Sequence, residues 1–262
     1  MSKLPTLCWS YKKLDQRGIV RDGIYTYDEY LDINLKWYKL SIYKAKQLGY
    51  NTAMYCDSHL LSLWEDFEYL DEVHLVPEDF CPWYWDGYKF YALYARDDKP
   101  IALDHDVILN RHFNNKQEDV VVDSFDTTRH LLYSRNNLLT PYVDNGVKKL
   151  IPEWTDDKIP LACSGVIQIN SLEIRDKFFE QYFKLYDFMI EHKLDPFSGT
   201  GVGGEFLISY MAKAYNWSTS AFNQCIIPEQ KYENDTYMHY FGNIKYKKGI
   251  VNFNYNKVKS AI

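Results

Sequence analysis

The sequence contains no C-x-x-C pair, no low-complexity tract, no internal repeat, and no apolar run near the ~20 residues that cross a bilayer. Its five cysteines, Cys8, Cys56, Cys81, Cys163 and Cys225, are odd in number and widely scattered. That spacing argues against zinc or dithiol redox chemistry and for reduced thiols packed in a core. The opening Met1-Ser2-Lys3-Leu4-Pro5 offers no basic stretch followed by an apolar one, so a cytoplasmic location without a membrane span is expected. No Pro/Gly/Ser-rich or single-charge stretch interrupts the chain, and its 262 residues are read as one domain, 1–262. Excess basic charge is missing too: 30 Lys+Arg against 36 Asp+Glu give a net charge of -6. This balance argues against wholesale nucleic-acid binding, because phosphate affinity comes mainly from clustered Lys and Arg. A local exception is the end, where Lys245, Lys247, Lys248, Lys257 and Lys259 form a basic tail, 245–262, without an acidic residue.

What is present is apolar and aromatic: 46% of residues are hydrophobic and 17% aromatic, enough to bury a large core. Short β-prone runs alternate with amphipathic ones. A strand is expected over Leu4 to Trp9. Leu31, Leu35, Tyr38, Ile42 and Ala45 then recur at three- and four-residue steps and mark a helix ended by Gly49. Strands are expected at Asn51 to Cys56, Glu72 to Val76 and Ile101 to Leu103, with helices at Ser58 to Phe67 and Gly87 to Ala95 between them. This order implies an α/β fold with a largely parallel, doubly wound sheet. Further on, strands are expected at Asp119 to Asp123 and Cys163 to Asn170, and helices at Leu172 to His192 and about Gly203 to Ala214. Between these helices lies a glycine-rich loop, 195–201. The stretch Thr127 to Asp157 matches no single pattern.

The chain has one D-x-D, Asp104-His105-Asp106, directly after the apolar run Ile101-Ala102-Leu103. On a strand, residues two apart share a face, so both carboxylates would converge on one cation at the carboxyl edge of the sheet, with His105 turned to the opposite face. Oxygen ligands suit a hard ion such as Mg²⁺ or Mn²⁺, which can neutralise charge on a diphosphate. Far along the chain, His239-Tyr240-Phe241-Gly242-Asn243-Ile244-Lys245 offers an imidazole for a metal, a glycine that admits close backbone approach, and a lysine suited to phosphate.

The run Leu103-Asp104-His105-Asp106-Val107-Ile108-Leu109, then Ser164-Gly165-Val166-Ile167-Gln168-Ile169-Asn170, then His239-x-x-Gly242-x-x-Lys245, resembles in order and spacing the GT-A glycosyltransferases, most closely glycosyltransferase family 8. The resemblance runs from about Pro5 to Lys247. It implies a Rossmann-like GT-A fold, a nucleotide-sugar donor that is typically a UDP-sugar, and Mn²⁺ held by Asp104, Asp106 and His239. It further implies that Gly242 and Lys245 meet the diphosphate, with Lys245 assisting its departure, and that Lys89, on the helix before the D-x-D, reaches the donor. Two departures stand out: Cys163 precedes Ser164 where the family commonly has Asn, and Gly203-Gly204-Glu205 replaces an Asp-Gln-Asp. Retention of anomeric configuration is not carried over.

Three further residues are candidates. Glu205, after the glycine-rich loop, can orient an acceptor hydroxyl or act as a base, or simply favour a helix start. Asp123 is expected to border the donor sugar or to form a turn, and Tyr11 to stack on a base. The acceptor can be a surface saccharide, a protein hydroxyl, or a hydroxymethylated base in bacteriophage DNA, in which case the basic tail would meet phosphates and aromatics such as those in Cys81-Pro82-Trp83-Tyr84-Trp85 would help open the duplex. A nucleotidyltransferase would also use a metal-carboxylate site but calls for an N-terminal glycine-rich phosphate loop, and Leu7-Cys8-Trp9-Ser10-Tyr11 holds no glycine. A non-catalytic nucleotide-sugar or glycan-binding module is the remaining class.

Overall fold

The strand-forming runs of the first hundred residues are apolar almost without interruption, which suits strands covered on both faces rather than on one. In the computed structural model, which describes residues 4–13, 26–63, 69–82, 87–114, 116–126, 139–151, 159–194, 202–223, 231–233 and 236–240, Leu7–Tyr11, Thr52–Cys56 and Ile101–Leu103 become such strands, whereas Glu72–Leu75 is an edge strand with Val73 and Leu75 exposed. β1 (Leu7–Tyr11), β2 (Thr52–Cys56), β3 (Glu72–Leu75) and β4 (Ile101–Leu103) join β7 (Leu161–Ile169), β6 (Val120–Asp126) and β8 (Thr219–Asn223) in a seven-stranded sheet of order β3-β2-β1-β4-β7-β6-β8. All pairs are parallel except the two made by β7 with β4 and β6. The fold is thus α/β with a mostly parallel central sheet flanked by helices. Every residue of β2 and β7 is buried.

Alternation along the strands divides the core. Ile101 and Leu103 join Trp9, Tyr38, Ile42 and Val166 on one side, while Ala102 and Ile167 join Phe90, Phe178, Tyr182 and Phe206 on the other. Helix α1 (Tyr27–Gln47) covers the first side. It opens with a capping box, the Thr26 hydroxyl accepting from the Glu29 amide and the Glu29 carboxylate from the Thr26 amide, and stops at Gly49, whose φ of +78° suits glycine. Helices α3 (Gly87–Tyr94) and α6 (Leu172–Glu191) cover the second side; α2 (Ser58–Leu63) follows β2. No helix among the described residues is long and apolar enough to cross a membrane. Cys8, Cys56, Cys81 and Cys163 are buried; Cys225 lies outside the described residues.

Four sequence expectations need correction. Residues 139–151, left unassigned, contain the short helices α4 (Thr140–Asp144) and α5 (Val147–Leu150). The helix placed at Gly203 starts instead as a π-helical turn, Val202–Phe206, and becomes regular only as α7 (Leu207–Ala214). The Ser209 hydroxyl, which donates to the Glu205 carbonyl and accepts from the Ala162 amide, ties this turn to β7. A second sheet, β5 (Val107–Leu109), β10 (Tyr237–Tyr240) and β9 (Lys231–Glu233), was not anticipated. Finally, Asp104 and Asp106 are not on a strand: they occupy a turn between β4 and β5, closed by the Val107 amide donating to the Asp104 carbonyl at 3.2 Å.

That turn is anchored from behind. Trp9 Nε1 donates to Ser41 Oγ at 2.9 Å, and Ser41 Oγ donates to the Val107 carbonyl at 2.5 Å, with Ser41 fully buried. Replacing Ser41 with Ala strands an indole N–H and a carbonyl, each costly when buried. Equilibrium urea denaturation is expected to show a loss of about 1–3 kcal/mol.

Candidate active site

In an open parallel sheet, ligands collect beyond the carboxyl ends of the strands where the strand order reverses, here between β1 and β4. The Asp104–Asp106 turn leaves the sheet at that point. β5, the strand that follows it, pairs antiparallel with β10 in the register His239↔Val107 and Tyr237↔Leu109. His239 is therefore delivered beside Asp106 although 133 residues separate them, by the count 239 − 106. Ligand atoms of Asp104, Asp106 and His239 all lie within 4.8 Å of one another. His239 Nε2 is 3.4 Å from Asp106 Oδ1 and 3.9 Å from Asp104 Oδ2.

The surroundings decide what this cluster can hold. Asp106 is 1% exposed, His239 2% and Asp123 0%, so three groups that prefer water are packed together without it. The ring's other nitrogen, Nδ1, is 2.7 Å from Asp123 Oδ2, and the Tyr237 hydroxyl donates to the second oxygen of the same carboxylate. Burial opposes charging of His239, but the Asp106 and Asp123 carboxylates outweigh it and hold the imidazole pKa up at about 9. Two carboxylates and an imidazole nitrogen aimed at one point form a donor set for a divalent cation such as Mn²⁺ or Mg²⁺. The residues fit such an ion, since it would balance buried negative charge that a protonated imidazole otherwise balances alone on that side.

Lys89 lies on the other side. Its ammonium, expected to reach a donor molecule, donates to Asp104 Oδ1 at 2.7 Å, to the Ser164 carbonyl at 3.0 Å and to Ser164 Oγ at 3.1 Å, and it is 4% exposed. Three N–H donors meet three acceptors. Glu205 Oε1 accepts from the Ser164 amide at 3.2 Å and hydroxyl at 3.4 Å. Glu205, Ser164, Lys89 and Asp104 thus form one polar chain from the π-helical turn to the D-x-D. Asp123, expected at the donor sugar, sits behind the imidazole, fully buried. His105 stacks on Tyr38 with centroids 4.8 Å apart, and Tyr11 is buried against His59, its hydroxyl 3.3 Å from Nδ1. Gly242, Lys245, the basic tail, Trp83, Tyr84 and Trp85 lie outside the described residues.

Sequence reasoning missed two members of the cluster. Tyr237 and His239 are two apart on β10 and so share a face, a spacing visible in the sequence but meaningless until residues 237–240 are known to be a strand. Gly165 was noted only as part of a motif. A Cβ there would lie 2.1 Å from His239 Cε1 and 3.0 Å from Asp123 Oδ2, so the imidazole packs directly on bare backbone.

Two predictions arise here. Gly165→Ala must push the imidazole off its position, and Mn²⁺ affinity measured by calorimetry is expected to fall about 10–100-fold, as when the support of a metal ligand is removed. The second concerns pH. An ion must displace the proton from His239, so Mn²⁺ affinity is expected to rise with pH up to about 9, by roughly tenfold per unit well below that value. Metal-free stability runs the other way: the folded pKa is raised above its ordinary 6.5, so the stabilisation is complete below that value and lost as pH rises through about 9. Melting of the chelated protein across this range checks the sign, and a stability that rises with pH would contradict it.

No protein-family model matches this sequence, and no curated protein matches it. Among solved structures, the chain is similar to the galactosyltransferase LgtC in complex with donor and acceptor sugar analogues, at 11% identity and TM-score 0.42 over 76% of this chain and 69% of that one. It is also similar to the apo bifunctional glycosyltransferase WbbM, at 10% identity and TM-score 0.43 over 85% of this chain. Here the match spans only 39% of the WbbM chain.

Proposed function

We propose that this chain is a metal-dependent glycosyltransferase of the GT-A type, transferring a hexosyl or pentosyl group from a nucleotide sugar, typically a UDP-sugar, to a hydroxyl acceptor. The observation that carries the reading is the convergence of Asp104, Asp106 and His239 at the carboxyl edge of the sheet, where its order reverses. A bound Mn²⁺ or Mg²⁺ would supply Lewis acidity toward the donor diphosphate. Asp104 and Asp106 present oxygen ligands, and His239 a nitrogen ligand. Lys89 fixes the Asp104 carboxylate through its Oδ1 oxygen while Oδ2 faces His239. Glu205 is half-buried on a turn tied to β7, a rigid place from which a carboxylate can orient an acceptor hydroxyl or take its proton. In this reading Gly242 and Lys245 meet the diphosphate, as the resemblance to family 8 implies.

The acceptor in this proposal is a saccharide or a hydroxymethylated base in phage DNA, and the enzyme acts in the cytoplasm of the cell or infected host. Transfer to DNA would require neutralising phosphates near the site, a task for the basic tail, and would fall steeply with salt. The decisive experiment offers radiolabelled nucleotide sugars with Mn²⁺ to simple saccharides, ordinary DNA and hydroxymethylcytosine DNA. Label entering only saccharides removes the DNA acceptor, and absence of any transfer or donor hydrolysis favours a binding module instead. Asp106→Asn is nearly isosteric yet removes a charged ligand from a buried site, so turnover is expected to drop at least about a hundredfold while circular dichroism stays native. Activity that persists in EDTA would overturn metal dependence.

A further inference from the structure

Asp123 takes no part in the ligand set, yet three side chains meet it. Fully buried on β6, it lies 2.7 Å from His239 Nδ1, accepts the Tyr237 hydroxyl on its other oxygen, and lies 3.7 Å from the Cys163 thiol. Gly165 lets the ring and this carboxylate pack against bare backbone of β7. A neutral imidazole has one N–H and one lone pair, and the partner of one nitrogen decides where each goes. Asp123 Oδ2 is the acceptor set against Nδ1, so the proton belongs on Nδ1 and the lone pair on Nε2, the atom facing Asp104 and Asp106.

We propose that Asp123 is a positioning residue that fixes His239 in the Nδ1–H tautomer and aims its Nε2 lone pair at the cation site, with Tyr237 locking the carboxylate against rotation. The proposal rests on the metal-binding reading of Asp104, Asp106 and His239 and is independent of which group is transferred. Its chemistry predicts an asymmetry. In Asp123→Asn the amide has nearly the same shape, but with the Tyr237 hydroxyl donating to the amide oxygen, the amide nitrogen faces Nδ1. Nδ1 must then accept, the proton moves to Nε2, and the metal-facing lone pair is lost.

The test uses the full chain and the metal alone, without a sugar nucleotide. Calorimetric titration with Mn²⁺ is expected to show a loss of about 10–100-fold in affinity for Asp123→Asn, with cooperative unfolding retained. Long-range ¹H–¹⁵N spectra of the histidine-labelled protein saturated with diamagnetic Mg²⁺ are expected to place the His239 proton on Nδ1 in the wild type. A purely structural ion pair would leave Mn²⁺ affinity unchanged in the folded variant. Wild-type affinity in the folded variant, or a proton on Nε2 in the metal-loaded wild type, overturns the proposal, the second even if the variant does not fold. Wild-type protein that binds no Mn²⁺ overturns the metal reading itself, a distinct outcome.

Discussion

The structure around the site depends on one electrostatic constraint, the packing of three carboxylates about a single imidazole with almost no water. Asp106, Asp123 and His239 are at most 2% exposed, and Asp104 lies at their open side. Buried carboxylates are tolerated only when paired or hydrogen-bonded. Here the compensation is divided: Lys89 neutralises Asp104 from beneath, His239 answers Asp106 and Asp123, and Tyr237 and Cys163 meet the remaining acceptor capacity of Asp123. A cluster satisfied in this way is stiff, and stiffness is what a cation site needs, because ligands already in place do not have to be ordered when the ion arrives.

The small β5-β10-β9 sheet serves that constraint. Asp104 and Asp106 belong to a turn, and a turn alone would leave the carboxylates free to splay. Pairing of β10 with β5 in the next residues clamps the turn, while Ser41 on α1 holds the Val107 carbonyl from the opposite side. The same register brings Tyr237 and His239 over Asp123, so one strand pairing positions a ligand and its support together.

Much of the main sheet was legible from the sequence because β1, β2, β4 and β7 are mostly apolar and the helices keep a 3.6-residue period; β2, β3 and α6 differ from expectation by a residue or two, whereas β8 was not expected. β9 and β10 were not legible. With three and four residues, rich in tyrosine and charge, they have no period to detect and exist because β5 offers an edge to pair with. The orientation of β7 was hidden for a related reason: an apolar run looks the same whether its neighbours run parallel or antiparallel. At the site, the sequence reading put Asp104 and Asp106 on a strand face, whereas they sit in a hydrogen-bonded turn that brings both beside His239. His239 was visible as an imidazole suited to a metal, but only the family resemblance set it beside the D-x-D, and its link to Asp123 was beyond any local pattern.

Gly165 shows why the site and the sheet cannot vary separately. In the middle of a nine-residue buried strand, glycine weakens packing and costs more chain entropy than any other residue, so its presence there calls for a compensating contact. The imidazole is that contact, close enough that no side chain can intervene. The neighbouring Gly165 carbonyl accepts the Asp104 amide at 2.8 Å, and Ser164, one residue earlier, meets both Lys89 and Glu205. Two adjacent residues of β7 therefore touch the turn, the histidine, the lysine and the π-helical carboxylate. The antiparallel strand β7, next to the central β4, acts as the template on which the four chemical elements are aligned, and a shift of one residue in its register would exchange its two buried faces and separate all of them at once.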